Sequence, residues 1–142
     1  MEFKIQTKKR EEIVDITKQI EEFIKETKDG VCTVFVPHAT CAILINENYD
    51  PSVCEDILKA LRQIAPHGGS PLTLNQSKEG KIVPWLHDKI DGNGDAHIKS
   101  AIIGPSETIP VKDGKLQLGT WQNIGLAEFD GPRERKIIVK FI

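Results

Sequence analysis

Hydrophobic and polar positions alternate over residues 2–8, where Phe3 and Ile5 stand between polar neighbours. That period of two predicts a first strand. The period then lengthens. Ile13, Ile16, Ile20, Phe23 and Ile24 recur at helical spacing with acids and lysines between them. This predicts an amphipathic helix over about 11–28, closed by Asp29-Gly30. Residues 31–37 are short and β-branched, and 41–45 form a second apolar run. With Pro37-His38-Ala39-Thr40 between them, the two runs predict a hairpin. Their unbroken apolar character predicts strands covered on both faces, one of them by a helix.

Asp50-Pro51 marks a helix start, because Asp supplies the N-cap acceptor and Pro suits the first helical position. Val53, Ile57, Leu58, Leu61 and Ile64 carry the apolar stripe on to Ala65-Pro66. Residues 67–92 break every pattern with Gly68-Gly69, Pro71, Gly80, Pro84 and Asp91-Gly92. A loop of that length in a compact domain is usually functional or mobile. Asn93 or Asp95 caps a short helix running to Ile103 and stopped by Gly104-Pro105. From Glu107 onward the pattern is β again, with turns at Lys112-Asp113-Gly114-Lys115 and Asp130-Gly131-Pro132-Arg133. The expected class is α+β: seven or eight mostly antiparallel strands in sandwich-like sheets, with two or three helices.

The 142 residues suit a single domain spanning 1–142. Hydrophobic residues make up 39% and charged residues 28%, which excludes a disordered chain. No apolar run approaches the roughly 18 residues of a membrane span, so no membrane association is expected. Met1-Glu2-Phe3-Lys4 lacks the apolar core of a signal peptide, so the expected location is the cytoplasm. The net charge is −2 and the basic residues are scattered, so no nucleic-acid partner is expected. Cys32, Cys41 and Cys54 are odd in number and form no C-x-x-C pair, which fits reduced thiols.

Candidate chemistry starts with the histidines. His38 ends an apolar strand, and His87 and His97 flank the Asp91-Gly92-Asn93-Gly94 turn. Three imidazoles with one open position can hold a catalytic metal, whereas histidines on loops also make ordinary hydrogen bonds. Asn46-Glu47-Asn48-Tyr49-Asp50 follows an apolar strand directly, where scaffolds present reactive groups. Asp50 is either an N-cap or a metal or water ligand. Glu47 is either a general base, its pKa raised by a partly apolar setting, or an acceptor for the helix that follows. Gly119-Thr120-Trp121-Gln122 offers close backbone approach, donors and a flat face, although a core Trp is the commoner reason for such a segment. Glu128 lies in an apolar strand and needs a cationic partner, Arg133 or Arg135.

These segments together resemble the YjbQ family, also described as the secondary thiamine-phosphate synthase group. The resemblance rests on His38-Ala39-Thr40, Ile45-Asn46-Glu47, Asp50-Pro51, Asp91 to Ser100, Gly104-Pro105-Ser106, Leu118 to Gln122 and Glu128 to Arg133. It covers about residues 35–140. It implies a compact α+β fold with a β-sandwich core, assembled as a homotrimer. His38, His87 and His97 match the family's histidines, as do Asn46-Glu47, Thr120-Trp121-Gln122 and Glu128; His67 lies outside the pattern.

The function implied is the joining of a hydroxymethylpyrimidine diphosphate to a thiazole phosphate. In that reading a divalent ion (Zn or Mg), Lys99 and Arg133 face the leaving diphosphate, and Trp121 faces the rings. The substrate-binding set is Asn46, Lys99, Thr120, Trp121, Gln122 and Arg133. The catalytic set is Glu47, Glu128 and His97. Two alternatives stay open: a metal-dependent hydrolase or lyase on a His38/His87/His97 centre, with Glu47 or Glu128 moving the proton, and a non-catalytic trimeric ligand-binding protein.

Overall fold

The computed structural model describes residues 1–70 and 82–142. Those residues form eight strands in two sheets and three α-helices. In chain order they are β1 (Glu2–Gln6), β2 (Glu12–Asp15), α1 (Thr17–Ile24), β3 (Gly30–Phe35), β4 (Cys41–Asn46), α2 (Pro51–Ile64), α3 (Gly94–Ile103), β5 (Ser106–Lys112), β6 (Lys115–Leu116), β7 (Asn123–Glu128) and β8 (Glu134–Phe141). A short 3₁₀ turn, Leu86–Lys89, precedes α3. The larger sheet runs β1-β8-β3-β5-β6 and the smaller runs β2-β7-β4, and every pairing is antiparallel.

The smaller sheet is the middle layer, and alternation along its strands explains why. Ile43, Ile124 and Leu126 point one way, into a core shared with Val34, Ile109, Ile137 and Val139 of the larger sheet and with Ile16, Ile20 and Ile24. Ala42 and Ala127 point the other way, against Leu58 and Leu61 of α2 and Ala96 of α3. Small residues on that face let the helices approach closely. The apolar continuity of 41–45 thus reflects two covered faces, one under helices, as its pattern implies.

Several elements differ from the sequence reading. The expected helix over 11–28 is a strand followed by a helix of two turns. Residues Glu12–Asp15 pair with β7, and only Thr17–Ile24 are helical. Ile13 serves the strand, and Ile16, Ile20 and Ile24 serve the core at the helical period, so one hydrophobic series spans both. The expected β3–β4 hairpin does not form. β3 pairs with β5 and β8, and β4 pairs with β7 in the other sheet. The Val36 N–H goes to Pro105 O instead of to β4. Of the irregular stretch 67–92, residues 71–81, which include Pro71 and Gly80, lie outside the described residues.

The boundary signals act as read at two places. The Asp50 side chain accepts the Ser52 N–H at 2.9 Å and Pro51 opens α2. Gly104 stands at φ 101°, a left-handed conformation that costs glycine little, and ends α3.

Candidate functional site

The register of β4 on β7 decides which candidate residues meet. Cys41 pairs with Glu128 and Asn46 with Asn123, so these pairs mark opposite ends of the smaller sheet, about 17 Å apart at the usual rise per residue. Glu47, just past Asn46, and Glu128 therefore belong to different places within one chain.

At the Asn46 end the side chains form an open rim. Asn46 Oδ1 accepts the Glu47 N–H at 2.7 Å, which turns the chain out of β4. The Glu47 carbonyl accepts from Cys54 Sγ at 3.8 Å, tying the turn to α2. Asn123 Nδ2 donates to Asn48 Oδ1, which leaves Asn48 Nδ2 enclosed without a partner. Gly119 N–H donates to Gln122 Oε1 at 2.8 Å and fixes the tight turn that presents Thr120 and Trp121. The Trp121 and Tyr49 rings lie 6.3 Å apart, tilted by 56°. They are 60% and 81% exposed, so Trp121 is a surface face and not a core residue. The Glu47 carboxylate makes no hydrogen bond or ion pair with any described residue. The helix-cap role that would have employed it belongs to Asp50.

The Glu128 end is closed. Glu128 is fully buried and accepts five hydrogen bonds: from Thr7 Oγ1, Arg135 Nε and Nη2, and the N–H groups of Phe129 and Asp130. Its partner is Arg135, and its lone pairs are committed to holding the β7–β8 connection. Arg133 points elsewhere, donating from Nε to Asp130 O and from Nη2 to Asp130 Oδ2. His38 Nε2 accepts the Lys136 N–H at 3.0 Å. Burial, and then the Arg135 charge, hold His38 below its ordinary value, so it is a neutral imidazole near neutral pH. Burial pushes the neighbouring Cys41 thiol up to about 12, so it stays protonated.

His87 and His97 do meet, edge to face, with centroids 4.7 Å apart. His87 Nε2 is enclosed, has no hydrogen-bond partner and lies 3.6 Å from Asp91 Oδ2. His38, its Nε2 already used, does not complete a triad with them. Among the described residues no three His, Cys, Asp or Glu side chains form a group able to hold a metal. The three-histidine centre expected from the resemblance is thus not assembled by one chain from the described residues.

Lys99 is also placed differently from its expected role. It is 1% exposed and bonded to Glu11 and to Asp95 Oδ2, so it faces inward and not toward a diphosphate. This pair belongs to a network that sequence reasoning missed. Asp95 takes Arg10 Nη2 at 3.0 Å, Glu11 takes Arg62 Nε, and His67 Nδ1 sits against both Arg10 and Asp95. The one legible signal was the Asp95/Lys99 spacing of four on a helix. Glu11 opens the stretch read as a helix over about 11–28, where the structure has β2 and then α1, Arg10 carries no signal of its own, and His67 lies outside the motif pattern.

Taken together, two antiparallel sheets with α2 and α3 against one face of the smaller, and an aromatic and amide rim at one end of that sheet, describe an α+β sandwich with an open edge. The chain belongs to the family described as UPF0047 protein YjbQ-like, whose model matches residues 1–142. It is 47% identical over 142 residues to UPF0047 protein MJ1081 of Methanocaldococcus jannaschii, covering 99% of this chain and 91% of the relative. It is 38% identical to UPF0047 protein YugU of Bacillus subtilis, covering 97% and 95%. Among solved structures, the hypothetical protein APE1520 of Aeropyrum pernix superposes with a TM-score of 0.87 at 36% identity, over 100% of this chain and 96% of that one. A YbjQ-like protein of unknown function from Sulfolobus solfataricus superposes at 0.84 and 37% identity, over 99% and 94%.

Proposed function

We propose that the chain is a transferase that joins a hydroxymethylpyrimidine diphosphate to a thiazole phosphate at the Trp121 rim. The observation that carries this reading is the exposed Trp121 and Tyr49 pair with Asn46, Asn48 and Gln122 on the adjoining turns, and a Glu47 carboxylate, two residues before Tyr49, that has no partner among the described residues. A planar heterocycle stacks on an aromatic face, and amides and a carboxylate read the edge of an aminopyrimidine. The bond from the pyrimidine methylene to the diphosphate oxygen breaks, and its electron pair leaves with the diphosphate. The thiazole nitrogen supplies the lone pair for the new carbon–nitrogen bond. Glu47 places negative charge opposite the cation that develops on the pyrimidine, where a fixed charge is most effective.

The leaving group needs cations, and in one chain the free donors of Arg133 lie with the Glu128 end, not the rim. We propose that a homotrimer sets the Arg133 end of one copy against the Trp121 rim of the next. Formation of the joined product from the two precursors, measured across a dilution series alongside light scattering, tests both statements. Product that falls as the trimer dissociates supports them. Binding of the pyrimidine without any product reduces the chain to a ligand-binding protein, and a monomer with full turnover removes the shared site.

A further inference from the structure

A cleft of about 270 Å³ is lined by Arg10, Glu11, Arg62, Pro66, His67 and Lys99 and shares no residue with the Trp121 rim. Among the described residues its lining carries three permanent cations against one carboxylate. The carboxylates that steady those cations are withdrawn. Asp95 is fully buried, and Glu11 is bonded by both Lys99 and Arg62. Glu55, which accepts from Arg62 Nη1, stands on the exposed face of α2, and Asp130, bonded by Arg133 through Oδ2, lies 3.6 Å from Arg10 Nη1 through Oδ1. The two guanidinium groups are 38% and 41% exposed and offer five N–H donors each, of which these contacts use only part.

His67 adds a donor whose identity is forced. Its Nδ1 lies 2.9 Å from Arg10 Nη2, and a guanidinium can only donate. In neutral His67, Nδ1 therefore accepts and the proton sits on Nε2. In protonated His67, Nδ1–H turns to Asp95 Oδ1, 3.3 Å away, and Nε2 keeps its proton. In both states the ring offers a donor at Nε2 and no free acceptor. Apart from Glu11, whose two oxygens are already bonded by Arg62 and Lys99, the side-chain polar groups of the described lining are donors, which suits a ligand that only accepts.

We propose that this cleft binds a tetrahedral oxyanion, a phosphate group either free or carried as a phosphomonoester, held by Arg10, Arg62 and His67. Planar guanidinium forks match phosphate oxygens in pairs, and the imidazole supplies one further charge-assisted bond.

The test is a titration of the intact protein with inorganic phosphate, and separately with glycerol phosphate, each against sodium chloride at matched ionic strength. The readout is the histidine ring resonances. The expected result is saturable movement of the His67 resonance by phosphate, with His38, His87 and His97 moving no more than in chloride. The tighter of the two ligands tells whether the free ion or the ester is preferred. Arg62→Ala should weaken the affinity roughly tenfold, the usual effect of losing a charged hydrogen bond. Because Arg62 also steadies Glu11, His67→Ala at an exposed position is read by thermal melting, where the rise produced by phosphate should fall by roughly half or more. A His67 resonance that moves no further in phosphate than in chloride overturns the site. So does an unchanged phosphate affinity in folded Arg62→Ala protein.

Discussion

Arg135 holds Glu128 through two hydrogen bonds, Nε to Oε2 at 2.7 Å and Nη2 to Oε1 at 2.6 Å, and neither side chain reaches solvent appreciably. The pair spans the connection from the middle sheet to the larger one. Removing one partner strands the other charge in the interior. Glu128→Gln should therefore destabilise the fold by about 3–5 kcal/mol, seen as a lower urea midpoint at unchanged slope. A loss under about 1 kcal/mol would mean the pair contributes little.

Lys99 bridges two carboxylates from different elements, Glu11 before β2 and Asp95 in α3. Lys99→Met keeps the length of the side chain but leaves both acids in a poorly solvated place. The expected cost is again about 3–5 kcal/mol in chemical denaturation. Ligand binding at the Trp121 rim should survive in the folded fraction, since Lys99 is not part of it.

His38 predicts a pH dependence. Burial and the Arg135 charge lower its folded-state value below 6.5, so the unfolded chain takes up the proton first as pH falls. Its contribution to stability is complete above that value and is lost as the pH falls from there through the folded-state value. Wild-type protein should lose more stability between about pH 7 and about pH 5 than His38→Gln, which keeps an acceptor for the Lys136 N–H. Equal losses in the two proteins would show that His38 is not the responsible group.

Trp121 is exposed, so Trp121→Ala should leave the melting temperature nearly unchanged. Binding of a planar pyrimidine should weaken by roughly tenfold, the scale of a lost ring-on-ring contact. Unaltered binding in the variant would place the ligand elsewhere.

The legible parts of the fold were those set by local chemistry. Asp50-Pro51 and Gly104-Pro105 act through their own backbone geometry and mark helix ends wherever they stand. The apolar run 41–45 reported its two covered faces correctly, because burial acts on each residue separately. Strand partners were not legible. β3 and β4 are neighbours in sequence but join different sheets, and nothing in Pro37 to Thr40 encodes whether the chain turns back or crosses over. The same limit applied to the site. Glu47 and Glu128 both look like carboxylates at strand ends, and only the β4–β7 register separates an acid without a partner among the described residues from a saturated one. Lys99 read as a free cation because its partners, Glu11 and Asp95, are brought to it from two elements.

In the function proposed, the Glu47 carboxylate acts on a ligand held at the Trp121 rim. Glu47→Gln, assayed for product from the pyrimidine diphosphate and the thiazole phosphate, tests it most directly. The expected result is a melting temperature within about a degree of wild type and a turnover lower by roughly 10²–10⁴. Wild-type turnover in a folded Gln variant would contradict it.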